Sequence, residues 1–449
     1  MKQIQSSILT FLIAITFSCT AQELSLEQCK EMALRNNVKV QNAALDIESA
    51  KQLKNQALTK YFPDIKMAGG GYHALNPLFE IGIDNIENAT VRNLLNTLYF
   101  EYGATLGIPN SFSMFKNGYT ANLTAMQPLY AGGQINNGNR LAKLGIEAAE
   151  MQNEIAQQEV ILQVEESYWL IISLQEKRNT ARQALQLVDT LAHDVNGAYA
   201  SGLVTQNDVL KVRLKQNELK STLLKIDNGI ALATMALCQV IGMEYSPEIV
   251  LTDSLSADII APDEQYIPSA EAVGNRPEAK LLSLQVKAEQ LQRKMTLGET
   301  LPQVGLGASY GYGHLTEYSK NLNGLVFAMV QVPLSNWWES SYKLHAHKIR
   351  IQIAENNQRD LTEKMNLQTQ QAWNELVETY QQILIADETV ENARQNLTLA
   401  EHNYQSGFIT ISELLESQTL LQQARDQQND ERINFQIKST KYRQLTQQD

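Results

Sequence analysis

The heptapeptide Tyr199-Ala-Ser-Gly202-Leu-Val-Thr205 returns 205 residues later as Tyr404-Gln-Ser-Gly407-Phe-Ile-Thr410. Working outward, Pro128-Leu129 pairs with Pro333-Leu334 at the same offset, while Pro63 pairs with Pro302 and Asn37-Val38 with Arg276-Pro277 at an offset of 239. Two constant offsets mean two tandem copies of one unit. The 34-residue difference between the offsets is extra sequence in the first copy, between Pro63 and Pro128. The reading therefore divides the chain into 1–21, a leader; 22–243, repeat one; 244–270, a linker holding three of the ten prolines; and 271–449, repeat two.

Proline placement supplies the architecture. None falls between Leu129 and Ser246 or after Pro333, and an interior proline costs a helix about 3 kcal/mol, so these stretches admit very long helices. Val160, Val164, Ile171 and Leu174 set a coiled-coil register that runs on through Arg178 and Ala181 to Leu185, Val188, Ala192 and Val195. A helix from about 134 to 198 would be about 95–100 Å long at 1.5 Å per residue, too long for a compact domain. Gly202 and Gly407 sit at the turns that follow, where glycine accepts positive φ.

Strand candidates precede each long helix. Tyr119, Ala121, Leu123 and Ala125 alternate with Thr120, Asn122 and Thr124; Val304, Leu306, Ala308 and Tyr310 alternate with Gly305, Gly307, Ser309 and Gly311. Such alternation suits transmembrane strands, apolar to lipid and small or polar to a lumen. Ile65 between Asp64 and Lys66 fits the same pattern, whereas 325–332 is apolar on both faces. The excursion at about 74–112, with a helix candidate at Ile86–Phe100, reads as a long extracellular loop. Four strands cannot close a barrel, and an open edge in lipid leaves backbone groups unpaired, so the chain must oligomerise: two copies give eight strands and three give twelve.

The N-terminus carries Lys2, an apolar run from Ile8 to Phe17 and small residues around Ser18 to Ala21, the pattern of a secretory leader. Cleavage after Ala21 competes with a poor lipobox at Thr16-Phe17-Ser18-Cys19, in which Phe17 occupies a small-residue position. Beyond it no run reaches the ~18 apolar residues of a membrane helix. A net charge of −12 excludes nucleic acid as a partner. Cys29 and Cys238, far apart in sequence, form no disulfide framework and read as buried helix thiols.

The opening helix Leu24-Ser-Leu-Glu-Gln-Cys-Lys-Glu-Met-Ala-Leu-Arg-Asn-Asn37, the junction Gln127-Pro-Leu-Tyr-Ala-Gly-Gly133 and the two Tyr-x-x-Gly-x-x-Thr turns resemble those of TolC-family outer-membrane factors over essentially all of the mature chain. The resemblance implies a mixed α/β membrane protein: a homotrimer with a twelve-stranded β-barrel in outer-membrane lipid and a periplasmic α-barrel of antiparallel coiled coils, the 244–270 segment forming an equatorial belt. It implies a conduit for tripartite efflux or type I secretion, served by a periplasmic adaptor and an inner-membrane pump of RND or ABC type, with the adaptor docking at the tips marked by Gly202 and Gly407.

It also implies a periplasmic constriction. Glu413 and Glu416 share a helix face; alone they read as a solvated surface, but threefold repetition would stack them into two carboxylate rings that favour cations. Asp208 and Tyr404 match positions that hold the tip closed in some family members, although Ile409 stands where an arginine would complete that network. Trp337 and Trp338, with Tyr130 at the matching junction, are placed to anchor at the membrane interface. His345 and His347, two apart on a helix, point to different faces and do not suit zinc. No HExxH, P-loop or GxGxxG is present, and neither an enzyme nor a cofactor is expected. The competing reading, a periplasmic coiled-coil adaptor or scaffold without a pore, is opposed by two hairpins each preceded by strands.

Overall fold

The structure, a computed structural model, describes residues 23–76, 79–106, 111–114, 117–255, 259, 261–316 and 319–447. The expected leader and Cys19 lie outside the described residues. The chain begins β1 (Glu23–Leu24), α1 (Leu26–Asn36), α2 (Val38–Thr59) and β2 (Asp64–His73). The excursion that follows holds β3 (Phe79–Gly82), α3 (Ala89–Leu98) and β4 (Ser111–Met114), with β3 and β4 paired antiparallel. Next come β5 (Asn117–Ala131), α4 (Gln134–Ala200), α5 (Gln206–Ile241) and β6 (Val250–Leu251). The second half runs α6 (Ser269–Asn275), α7 (Pro277–Gly298), β7 (Gln303–Thr316), β8 (Ser319–Gln331), α8 (Asn336–Gln405) and α9 (Ile411–Thr446). The proline-free stretches are filled by α4 and α8, of 67 and 70 residues. The equivalence of Asn37 with Arg276 is visible as matching breaks: α1 ends at an extended Asn37 and α6 at an extended Arg276.

Two compact units emerge. One contains residues up to Glu48, Ala148–Ser283 and Asn356 onward; the other contains Ser49–Glu147 and Leu284–Glu355.

The second unit is organised by a four-stranded antiparallel sheet in the order β2-β5-β7-β8. Directly opposed residues share a face. Met67, Leu123 and Tyr310 therefore lie on one side, joined by Leu322 opposite Tyr312 and Val326 opposite Ala308. Thr120, Asn122, Ser309 and Gly311 occupy the other. The register resolves the strand that was apolar on both faces: Phe327 opposes Gly307 and belongs to the small-residue side. A Cβ on Gly307 would collide with the Phe327 ring, and one on Gly118 with the Tyr72 ring, so glycines on this face make room for aromatic rings from neighbouring strands. Pro128 is tolerated inside β5 because the β5–β7 register shifts between Pro128 and Tyr130, a place where the missing N–H does no harm. Just beyond, Gly132 has φ +60° and backbone contact with Gly298, so neither position has space for a side chain.

The first unit has helical cores. Val160, Val164, Ile171, Ala181, Val188 and Val195 are all buried, as the register of α4 requires; Arg178, its charged member, is half-buried and 3.6 Å from Asp227. The equivalent seam of α8 steps by four and three through Met365, Thr369, Ala372, Leu376, Thr379, Ile383 and Ala386, all buried. Hydroxyl and alanine positions hide this seam from an apolar pattern. Among the described residues one helix, α5, is long and apolar enough to cross a membrane by length and mean composition, although Lys225, Asp227 and Gln239 interrupt its apolar residues. Its Leu237 and Ile241 are packed in the core with Cys29 and Ala33 of α1, and its last carbonyls accept from Asn36 Nδ2 (3.3 Å, Ile241 O) and Asn37 Nδ2 (2.8 Å, Val240 O). Burial first, then the neighbouring Cys238 and Asp253, pushes the Cys29 thiol up to about 12.

A second node ties the 244–270 segment to the helices. Asp253 Oδ2 accepts from the Leu26 N–H (2.7 Å) and the Tyr168 hydroxyl (2.7 Å), while β6 pairs parallel with β1. Nearby, buried Glu165 is held by Lys30 at 2.6 Å.

Gly132→Ala should destabilise the protein by about 2 kcal/mol or more, combining a strained φ with backbone overlap. Gly145→Ala, on exposed α4 surface with nothing within 4 Å of a Cβ, should leave the thermal midpoint unchanged or raise it. Burial raises Asp426 to about 6 against the opposing pull of Lys177, with Asp430 adding to the rise, and its Oδ1 has no partner. A raised carboxylate favours folding while protonated, so its penalty is absent at pH below the unfolded value and complete above about 6. Asp426→Asn should therefore stabilise by about 1 kcal/mol after allowance for solvent screening at pH 7.5 and have little effect at pH 4, as denaturant midpoints at the two pH values would report.

Candidate functional site

The two α-helical hairpins end in the repeated heptapeptides, and the turns are built identically. After α4, the Leu203 N–H reaches Ala198 O (2.9 Å) and the Gly202 N–H reaches Tyr199 O (2.9 Å); after α8, Phe408 reaches Asn403 O (2.8 Å) and Gly407 reaches Tyr404 O (3.0 Å). This double closure of a helix C-terminus needs a left-handed residue, and Gly202 and Gly407 have φ +74° and +76° with open space around them. The apolar residues after the glycines do not fold back onto the helix: Leu203 is 79% and Phe408 82% exposed.

Each turn then starts the next helix with a capping box. Thr205 caps α5, and Asp208 accepts in return from the Thr205 N–H (3.1 Å) and hydroxyl (2.7 Å). Thr410 caps α9, and Glu413 accepts from the Thr410 N–H (2.6 Å) and hydroxyl (2.9 Å). These bonds hold both carboxyls below the usual range: for Asp208 through the Thr205 hydroxyl first, for Glu413 through the Thr410 backbone first. The threonines that close the repeated heptapeptides thus serve as N-caps, and Thr-x-x-Asp and Thr-x-x-Glu after a glycine turn are a helix-start signal.

The residues expected at a constriction thus have different surroundings. Glu413 is committed to its own helix start. Glu416, one turn on, is exposed and has no ion pair or hydrogen bond among the described residues. Asp208 and Tyr404 share no hydrogen bond within the chain among the described residues. Tyr404 is raised by burial, and further by the negative charges of Asp208 and Asp194. Lys211 Nζ bridges the hairpins by donating to Ser412 Oγ at 2.8 Å.

The aromatic residues flanking the sheet are largely exposed within the chain: Tyr130 and Trp337 about half, and Trp338 75%. The Trp337 indole N–H donates to Thr300 O at 3.1 Å, leaving its ring face open. His347 Nε2 lies 3.1 Å from Thr296 Oγ1 and its Nδ1 is 4.0 Å from Glu289, whereas His345 is exposed.

Two long-helix hairpins in one unit and an antiparallel sheet with one apolar face in the other are the elements of an outer-membrane channel-type chain. The sequence matches the family of outer membrane efflux proteins over residues 30–243 and 269–446, and the chain belongs to that family. It is 22% identical over 324 residues to the pyoverdine export outer membrane protein OpmQ of Pseudomonas putida, an alignment covering 69% of this chain and 66% of that one, just under two thirds of its length. In three dimensions it is similar to the outer membrane protein VceC of Vibrio cholerae (TM-score 0.72, 18% identity, 94% of this chain and 95% of that one). The Campylobacter jejuni CmeC outer membrane channel is comparable (TM-score 0.75, 14% identity, 94% and 85%). At these identities the structural likeness establishes the TolC-type fold, and the family assigns the chain to the outer membrane.

Thr410→Val removes one side of the second capping box and should cost about 1 kcal/mol. Because the Glu413 carboxyl is depressed in the folded state, its contribution is present at neutral pH and lost as pH falls through that lowered value. Unfolding midpoints of wild type and T410V should therefore converge in acid; a constant difference down to pH 3 would show that the Glu413 side of the box is idle.

Proposed function

We propose that three copies of this chain form an outer-membrane conduit that exports substrates delivered by an inner-membrane pump through a periplasmic adaptor. The observation that carries this reading is the open sheet: β2 and β8 terminate it, and among the described residues no strand pairs with their outer edges. In hydrocarbon each unpaired backbone group costs several kcal/mol, so strands from neighbouring copies are needed. Three four-stranded sheets make a closed twelve-stranded barrel, the copy number the TolC-family resemblance implies. The face holding Met67, Leu123, Tyr310 and Val326 turns to lipid, and the glycine-rich face with Thr120 and Asn122 lines the lumen. Tyr130, Trp337 and Trp338 anchor the junctions at the interface.

The hairpin ends dock the adaptor. Bare backbone at Gly202 and Gly407 permits close approach of another helix, and the adjacent exposed Leu203 and Phe408 offer apolar anchors. The pump is of RND or ABC type, and the word export in the name of the Pseudomonas putida relative supports outward transport. Glu416 furnishes the charged ring at the constriction, with Glu413 held back by its cap and Asp208 and Tyr404 gathered beside it.

Native mass spectrometry of the purified membrane protein should give a trimer, and planar-bilayer recordings should give cation-preferring channels. Glu416→Gln should lower the cation preference about twofold or more, and Glu413→Gln should leave it nearly unchanged. A non-conducting monomer, recovered only in the soluble periplasmic fraction, would replace the conduit with a scaffold.

A further inference from the structure

Between α4, α8 and α9, all within the first unit, lies a cavity of 290 Å³. Leu187 and Leu191 of α4 and Leu414 of α9 give it apolar walls. The charged groups that line it are both negative, and the neutral Thr190, Gln405 and Gln418 can donate as well as accept. Asp194 and Glu401 line it, and neither has an ion pair or hydrogen bond among the described residues. Gln418, only 4% exposed, also lines it, and its Oε1 has no hydrogen-bond partner. The half-buried Tyr404 completes the rim.

A buried amide oxygen without a donor is costly, and here it borders a space with two unneutralised carboxylates. Nothing lining this space supplies a positive charge. The site lacks a positive charge, and its two carboxylates and the Gln418 oxygen would accept from an N–H donor that carries one, mounted on an apolar body that can cover the leucines. We propose that this cavity binds a small organic cation, a primary ammonium or amidinium on an aromatic or branched aliphatic group. The charged head lies between Asp194 and Glu401 and donates to Gln418 Oε1, and the body packs on Leu187, Leu191 and Leu414. A ligand seated there touches three helices at once, so its binding holds α4 against α8 and α9 next to the Gly407 turn. The site is separate from the carboxylate ring assigned to Glu416, which does not line it.

The test uses full-length protein in lipid nanodiscs and 1-naphthylmethylammonium as a fluorescent probe, with empty nanodiscs subtracted. Saturable binding is expected, displaced by benzamidine and not by 1-naphthylmethanol, which has the same body without the charge. Glu401→Gln and Gln418→Leu should each weaken it about tenfold. Asp194→Asn, at an exposed position where folding is not at stake, should weaken it measurably, and Glu416→Gln should leave it unchanged. Each variant is checked for wild-type size and circular dichroism. Equal displacement by the neutral naphthyl alcohol, or binding unaffected by Asp194→Asn and Glu401→Gln, overturns the proposal. Absence of saturable binding does so too, and leaves ordered water as the partner of Gln418.

Discussion

Every backbone N–H and C=O taken out of water must find a partner, and the architecture follows from where this chain meets that demand and where it leaves it open. At the hairpin ends it is met locally: glycine-centred closures satisfy the last carbonyls of α4 and α8, and threonine caps satisfy the first amides of α5 and α9. At the end of α5 it is met by the side chains of Asn36 and Asn37, which is also why α1 stops where it does. At the outer edges of β2 and β8 no described strand meets it. Solved internally at one place and left open at the other, the same constraint makes self-contained hairpins and a sheet whose two edges are unpaired among the described residues.

Much of this was legible because repetition and proline are strong signals. The absence of proline marked where α4 and α8 could run, and the repeated glycine turns marked where they end. The alternation of β5 and β7 was plain, but that of β8 was not, since Leu325 and Phe327 are as apolar as Val326 and Val330; only cross-strand pairing with Ser309 and Gly307 shows which face they occupy. The α8 seam was missed for a similar reason. A threonine can be buried at a helix interface when its hydroxyl returns to the preceding turn, as Thr379 Oγ1 does to Glu375 O at 2.7 Å, so a hydrophobicity pattern skips it. The Asp253–Tyr168–Leu26 node joins residues more than 80 positions apart and left no local trace. At the turns, the glycines were legible as helix ends, whereas the threonines, though part of the repeated heptapeptide, gave no sign of which amides they cap.

The two hairpins, though copies, are not chemically equivalent, and the difference lies in how each uses its charges. Asp208 and Glu413 occupy the same place in the repeat and do the same thing, closing a capping box. One turn further the copies diverge: the offset that pairs Asp208 with Glu413 also pairs Lys211 with Glu416. Lys211 turns toward the second hairpin and donates to Ser412, fixing one helix start against the other. Glu416 has no such task. A carboxylate accepting two hydrogen bonds from its own cap keeps its charge but is held at the helix start, whereas an unpaired one is free to turn its charge elsewhere. The proposed charge selectivity therefore rests on Glu416 of the second copy, while the first copy, with Lys211 in that place, ties the two helix starts together.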